Sequence, residues 1–160
     1  MIDREGYRAN VGIVLINKYR EVFWGKRVGQ LDAWQFPQGG IDKDETPEDA
    51  LYRELYEEVG LVANQVKLLS KTKHWLRYRL PNKYRRFQSK PLCIGQKQKW
   101  FLLEVYNAEQ DINFNRSANP EFEHWRWVDY WYPIKHVIKF KSQVYEHALE
   151  EFKPVVFGEA

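Results

Sequence analysis

The chain has 160 residues, 25 Lys and Arg against 22 Asp and Glu for a net charge of +3, and 44% hydrophobic with 16% aromatic content. That is too apolar for a disordered segment and suits one domain, residues 1–160, with a single core. Its apolar runs, such as residues 11–16, are far short of a membrane span, and Asp3, Arg4 and Glu5 interrupt any signal-peptide pattern, so a cytoplasmic protein without a membrane partner is expected.

Residues 11–16 are β-rich and almost continuously apolar, which predicts a strand buried on both faces. Residues 22–26 read as its hairpin partner across the polar turn 17–20. In residues 34–38, Pro37 biases Phe36 toward extended backbone and delivers the chain to Gly39 and Gly40. A glycine pair admits close approach of a metal or phosphate, and it equally suits a plain turn.

A helix is predicted over residues 47–59, with Thr46 as N-cap, Pro47 in the first helical position, Asp49 as capping partner and Gly60 as the stop. Glu54, Glu57 and Glu58 lie at i, i+3 and i+4, so they share one stripe with Cβ atoms about 5–6 Å apart. Two carboxylates about 5 Å apart repel by about 3 kcal/mol at an effective dielectric near ~20. Such a cluster persists if it is solvated, paired with Lys or Arg, or holding a divalent cation. The helix macrodipole also disfavours negative charge in the last turns, so nothing structural asks for these residues there.

Further along, residues 66–79 read as strand, broken by the turn 80–83, and residues 97–105 as a strand entering the core. Eight cations and no acid fall within residues 71–90, a local excess suited to phosphates. Trp75, Tyr78, Tyr84 and Phe87 interleave them, as flat stacking platforms or as inward-packing rings. Cys93, the single cysteine, excludes an intrachain disulfide and reads as a packing residue. Residues 109–120 are loop-like, residues 125–128 form a last strand, and an amphipathic helix is predicted from Pro133 to about Phe152, ended by Pro154. His74, His124, His136 and His147 show no metal-ligand spacing. Several strands with a central and a terminal helix predict an α/β fold with a mixed sheet covered on both faces.

Gly39, Glu45, Arg53-Glu54-Leu55, Glu57-Glu58 and Gly60-Leu61 resemble the Nudix box, G-x5-E-x7-R-E-U-x-E-E-x-G-U with U apolar, at all nine specified positions. The resemblance implies the Nudix α/β/α sandwich and a hydrolase of nucleoside diphosphates linked to another moiety. It also implies a requirement for Mg²⁺ or Mn²⁺, several ions per site, held by Glu54, Glu57 and Glu58. Glu54 is then the general base, a carbonyl near Gly39 completes the coordination sphere, and Arg53 and Glu45 pair in support. Glu121 stands where related enzymes place a further ligand or base in a late loop. Residues 6–14, 34–40, 97–101 and 125–133 extend the resemblance to the RNA pyrophosphohydrolase subgroup, with Ala9 standing where proline is expected.

On that resemblance the substrate is 5′-triphosphorylated RNA, converted to 5′-monophosphate to promote mRNA decay. Arg8 meets the 5′ phosphates, Arg27 and Phe140 sandwich a base, and Gly39 and Gly40 line the substrate site. The alternatives are a dinucleoside polyphosphate hydrolase and, from another class, a catalytically silent RNA-binding module.

Overall fold

In the computed structural model, which describes residues 1–88, 90–107 and 109–158, eight strands form one mixed sheet. β1 (Tyr7–Ile16) lies parallel to β7 (Gly95–Val105) over ten residue pairs, from Tyr7 opposite Gly95 to Ile16 opposite Glu104. β5 (Val66–Lys71) and β6 (Leu76–Arg79) pair end to end, antiparallel, along the other edge of β7. The single strand expected over residues 66–79 is thus interrupted at Thr72. The Thr72 hydroxyl accepts from the Trp100 amide at 3.0 Å and its own amide donates to the Trp100 carbonyl at 2.9 Å, so the break keeps these backbone groups paired, and the one register shift along β5 falls earlier, between Leu68 and Ser70.

The predicted hairpin is only partly formed. β2 (Glu21–Arg27) meets β1 at one pair, Ile16 opposite Val22, then diverges to pair along β8 (Phe122–Asp129). The turn that starts this divergence is set by Asn17, whose Oδ1 accepts from the amides of Tyr19 and Glu21 at 2.9 and 3.0 Å. The sheet therefore forks. β3 (Trp34–Gln35) pairs with β2 on one arm, and β4 (Gln38–Gly40) pairs with β1 on the other. The intervening Phe36-Pro37 spans the gap, as the extended reading of this segment requires.

Helix α1 (Pro47–Glu54) starts as predicted: Asp49 N–H donates to Thr46 Oγ1 at 3.0 Å and Thr46 N–H returns a bond to Asp49 Oδ2 at 3.4 Å. Its continuation, Leu55–Val59, is a π-helical turn and not a further α turn, closed by Gly60 in the left-handed region with φ of 84°. Gly60 N–H bonds the Leu55 carbonyl at 3.0 Å, and the Asn113 backbone lies where a Cβ on Gly60 would sit. Ala50, Leu51, Leu55 and Val59 pack with Val11, Ile13, Phe101 and Leu103 on one face of the sheet.

The opposite face packs Trp24, Phe36 and Trp100 against Tyr145, Leu149 and Phe152 of the last helix. The one helix predicted here is two: α2 (Tyr132–His136) and α3 (Ser142–Phe157). Extended backbone at Val137 and Ile138 separates them, followed by a 3-10 turn, Lys139–Lys141. Pro154 does not end α3. It lies inside the helix, which runs on to Gly158 in the left-handed conformation. The last turn persists because Phe157 packs edge-on to Tyr130 and stacks on Trp131, with centroids 5.3 and 6.4 Å apart, contacts that offset the hydrogen bond Pro154 cannot donate. The layers are α1, sheet, α2 with α3, an α/β/α sandwich. Among the described residues no helix is long and apolar enough to cross a membrane.

The fully buried Tyr145 hydroxyl accepts from Phe36 N–H at 3.0 Å and so fixes the segment that crosses the fork. Tyr145→Phe strands that amide. We expect a loss of about 1–3 kcal/mol, measured by urea unfolding, with the secondary structure unchanged by circular dichroism.

Candidate active site

The site forms at the mouth of the fork, where β4, the C-terminal end of α1 with its π turn, the start of β8 and the 3-10 turn before α3 converge. Arg53 is its organiser. Its guanidinium takes Glu45 with two bonds, Nε to Oε2 and Nη2 to Oε1, both 2.8 Å. It also donates to Glu54 Oε1 at 2.8 Å, to the Gly40 carbonyl at 2.7 Å and to Glu57 Oε2 at 3.3 Å. This partly buried fork holds the Glu45 carboxyl below the ordinary carboxylate range and Arg53 firmly charged. The expected pairing of Arg53 with Glu45 is present as a two-pronged bridge tying the loop after Gly40 to α1.

The three glutamates of the predicted stripe do not share one environment. Glu54 and Glu58 are buried, 7% and 9% exposed, whereas the Glu57 side chain keeps 43% of its surface and turns to Arg53. The π turn separates them: its wider spacing replaces the last α turn on which a single stripe depends. Glu54 lies against the backbone of Gly39, where any Cβ would overlap its carboxylate. Glycine here lets the Glu54 carboxylate approach the backbone closely, which a Cβ would permit only by displacing that side chain.

Burial raises the carboxyl of Glu54, opposed by Arg53. Glu58 is raised further, first by burial and then by the charges of Glu54 and Glu121, although it accepts from the Gln38 amide. Glu58 Oε2 is buried with no hydrogen-bond partner. A buried, unpartnered carboxylate oxygen beside a second carboxylate fits an oxygen-seeking divalent cation. Among the described residues no three acidic, His or Cys side chains already converge as a cage, because Glu57 is held by Arg53 and Glu121 by Arg27, Nε to Oε1 at 3.2 Å.

Opposite the carboxylates stands a cation absent from the sequence reading. Lys141 is 8% exposed, donates to Gln35 Oε1 at 3.0 Å and Gln38 Oε1 at 3.2 Å, and lies over the Tyr78 ring at 5.9 Å. Burial, reinforced by the charge of Arg27, lowers its ammonium to about 8 against the pull of Glu121 and Glu58. Nothing in the sequence distinguishes Lys141 from Lys135 or Lys139, since only the fold carries it inward.

The other predicted residues are dispersed around this centre. Phe140 is half-buried, tilted against Tyr78 and Tyr84 with centroids 5.6 and 5.4 Å away. Arg27 turns to Glu121, so the two sides of the expected base clamp stand at the site without touching a common group. Arg8 lines a cavity of about 240 Å³ with Tyr84, Arg86 and Gln96. None of the four histidines reaches the centre: His147 pairs with Glu151, and His136 stacks on Tyr132.

The NUDIX domain family model matches residues 6–150. The chain is 58% identical over 155 residues to an RNA pyrophosphohydrolase of Aliivibrio salmonicida (strain LFI1238), covering 97% of this chain and 91% of that protein. It is 58% identical over 157 residues to an RNA pyrophosphohydrolase of Hahella chejuensis (strain KCTC 2396), covering 98% and 97%. Among solved structures, the fold is similar to that of the E. coli dihydroneopterin triphosphate pyrophosphohydrolase, with a TM-score of 0.69 at 22% identity over 91% of this chain and 96% of that one.

Because burial and Glu54 hold the Glu58 carboxyl above the ordinary 4.5, charging it destabilises the fold as pH rises past that value. Glu58→Gln removes this cost. Thermal unfolding without divalent cations should show the variant more stable by about 1–3 kcal/mol at neutral pH. The gain should shrink as pH falls toward the ordinary glutamate value of 4.5 and be absent below it.

Proposed function

The chain belongs to the Nudix family of hydrolases, and we propose that it is an RNA pyrophosphohydrolase that converts 5′-triphosphorylated RNA ends to 5′-monophosphate and so promotes mRNA decay in the cytoplasm. The observation that carries the reading is the placement, across the fork, of the buried carboxylates Glu54 and Glu58 opposite Lys141 and Arg27. Its relatives named for RNA, matched along nearly their whole length, support RNA over a dinucleoside polyphosphate.

Nudix hydrolases use divalent metal ions, and Mg²⁺ or Mn²⁺ fits here. Glu54 and Glu58 would hold it, with Glu57, Glu121 and a carbonyl near Gly39 as further oxygen donors. When bound, such ions neutralise phosphate oxygens and acidify a water. The chain's own groups do the rest. Glu54, pressed against Gly39, accepts the proton of the attacking water. Arg53 is a positioning residue: its bond to Glu54 Oε1 leaves Oε2 for that task, and its bridge to Glu45 keeps Gly40 and α1 in register. Arg8, Arg27 and Lys141 supply positive charge on the substrate side, and Gly39 and Gly40 admit the phosphates closely. Phe140, with Tyr78 behind it, offers a flat ring for a base, and Arg27 closes the other side once substrate draws it from Glu121.

With Mg²⁺, we expect the purified protein to hydrolyse 5′-triphosphorylated RNA faster than diadenosine tetraphosphate, and Glu54→Gln to lose nearly all turnover on either. A preference for the dinucleotide would overturn the substrate assignment, and turnover of neither would leave a binding module. Phe140→Ala should raise KM for RNA, with about 1–3 kcal/mol of binding lost on the stacking scale. If it instead lowers the melting temperature sharply and leaves KM unchanged, Phe140 is a packing residue.

A further inference from the structure

The basic stretch of residues 71–90 does not form one surface. Tyr78 turns into the core, and Tyr84 leans on Phe140 near the substrate side. Lys71, Lys73, Trp75 and Arg77 instead join Lys97 and Lys99 of β7 on the sheet face that carries α1. There the inward-facing alternation Leu103, Phe101 on β7 gives way to Lys99 and Lys97 beyond the reach of the helix. The ammonium groups of Lys97 and Lys99 lie 5.0 and 5.3 Å from the centroid of the half-buried Trp75 ring. Arg77 stands directly opposite Lys97 in the antiparallel pairing, its guanidinium 5.6 Å from the Tyr7 ring. Lys99 reaches the Lys73 carbonyl at 3.1 Å. Among the described residues the carboxylates ion-paired with this group are Asp3, with Lys97, and Glu48, with Lys71, and Glu151 accepts from the Lys73 amide at 2.8 Å.

Like charges directly opposite each other across two strands destabilise a sheet, and two ammonium groups on one indole ring repel as well. An ordinary solvated lysine face spreads such groups apart; this one gathers them around two flat rings. A polyanion with bases relieves the repulsion and uses the rings. The face also lies near the centre. Asn10 of β1 pairs with Gly40 on one side and with Gln98 on the other. The β7 lysines are therefore only two strand spacings, about 10 Å, from the backbone of β4.

We propose that this face, Trp75 with Lys97, Lys99 and Arg77, binds the body of the single-stranded RNA whose 5′ end occupies the active site. The inference rests on the RNA reading above and extends it to a second contact outside the hydrolytic centre. Trp75 supplies the stacking platform, and the cations track the phosphates without reading sequence.

The test compares a triphosphorylated dinucleotide with a triphosphorylated 20-nucleotide RNA, using wild type, Lys97→Gln/Lys99→Gln and Trp75→Leu. The dinucleotide is expected to be hydrolysed equally by all three, which also shows that the variants fold and that the active site is intact. The longer RNA should lose about tenfold in kcat/KM through KM, a stacking and ion-pair loss of ordinary size. The dependence of its log KM on log salt should flatten by about 1.4 for two lost phosphate contacts. Lys97→Arg/Lys99→Arg should restore both.

An unchanged ratio between the long and short substrates, or an unchanged salt slope, overturns the proposal. So does polyglutamate protecting the Trp75-dependent fluorescence as well as RNA of equal charge, which would give the face to an acidic protein. Failure of wild type to hydrolyse either RNA would instead count against the substrate reading, an outcome distinct from the loss of the length effect.

Discussion

Two carboxylates buried side by side at the C-terminal end of a helix are the constraint that the rest of this structure answers. Glu54 and Glu58 oppose the helix dipole and each other, and burial removes the water that would screen them. Arg53 supplies the compensation that the chain itself can offer, with one planar group spread over Glu45, Glu54, Glu57 and the Gly40 carbonyl. Lysine, a single point of charge, cannot bridge a carbonyl and three carboxylates in one plane. What Arg53 leaves unanswered is Glu58 Oε2, and that residual need is what the proposed divalent cation would meet.

The forked sheet turns that local problem into a cleft. β1 and β2 part after a single pair, so the segment from Trp34 to Gly40 must change partners midway. It brings Gln35 and Gln38 to Lys141 and the Gln38 amide to Glu58. The same segment is pinned from the other layer by the Tyr145 hydroxyl. Helix α3 therefore supports the site although it contributes no group to its chemistry. The π turn plays a matching part: it places Glu58 inward beside Glu54 and leaves Glu57 outward, and Gly60 fixes it against the loop at Asn113.

The cations of the site and those of the far sheet face differ in how they are satisfied. Lys141 is held by two glutamine carbonyls in a dry setting that weakens its charge. The lysines around Trp75 are partly buried: Lys97 is paired with Asp3, while Lys99 caps the Lys73 carbonyl and has no carboxylate partner among the described residues. On the proposed reading, one set would face the groups being cleaved and the other a chain extending from them.

Much of this was legible in the sequence, because the box is a contiguous run whose spacing alone specifies a helix, its caps and its acidic end. Thr46, Asp49 and Gly60 act through local hydrogen bonds and backbone angles, which neighbours in sequence decide. The strand cores and the pairing of Arg53 with Glu45 follow from periodicity and reach, whereas the glycine pair alone left a plain turn equally open. Tertiary structure decided what depends on partners far away: the parting of β1 from β2, the interruption of the strand at Thr72, the break between α2 and α3, and the persistence of α3 through Pro154. It also decided which of many similar lysines is buried. A side chain's desolvation and its charged neighbours arise from elements more than a hundred residues apart, as between Gln35 and Lys141, and no local pattern encodes them.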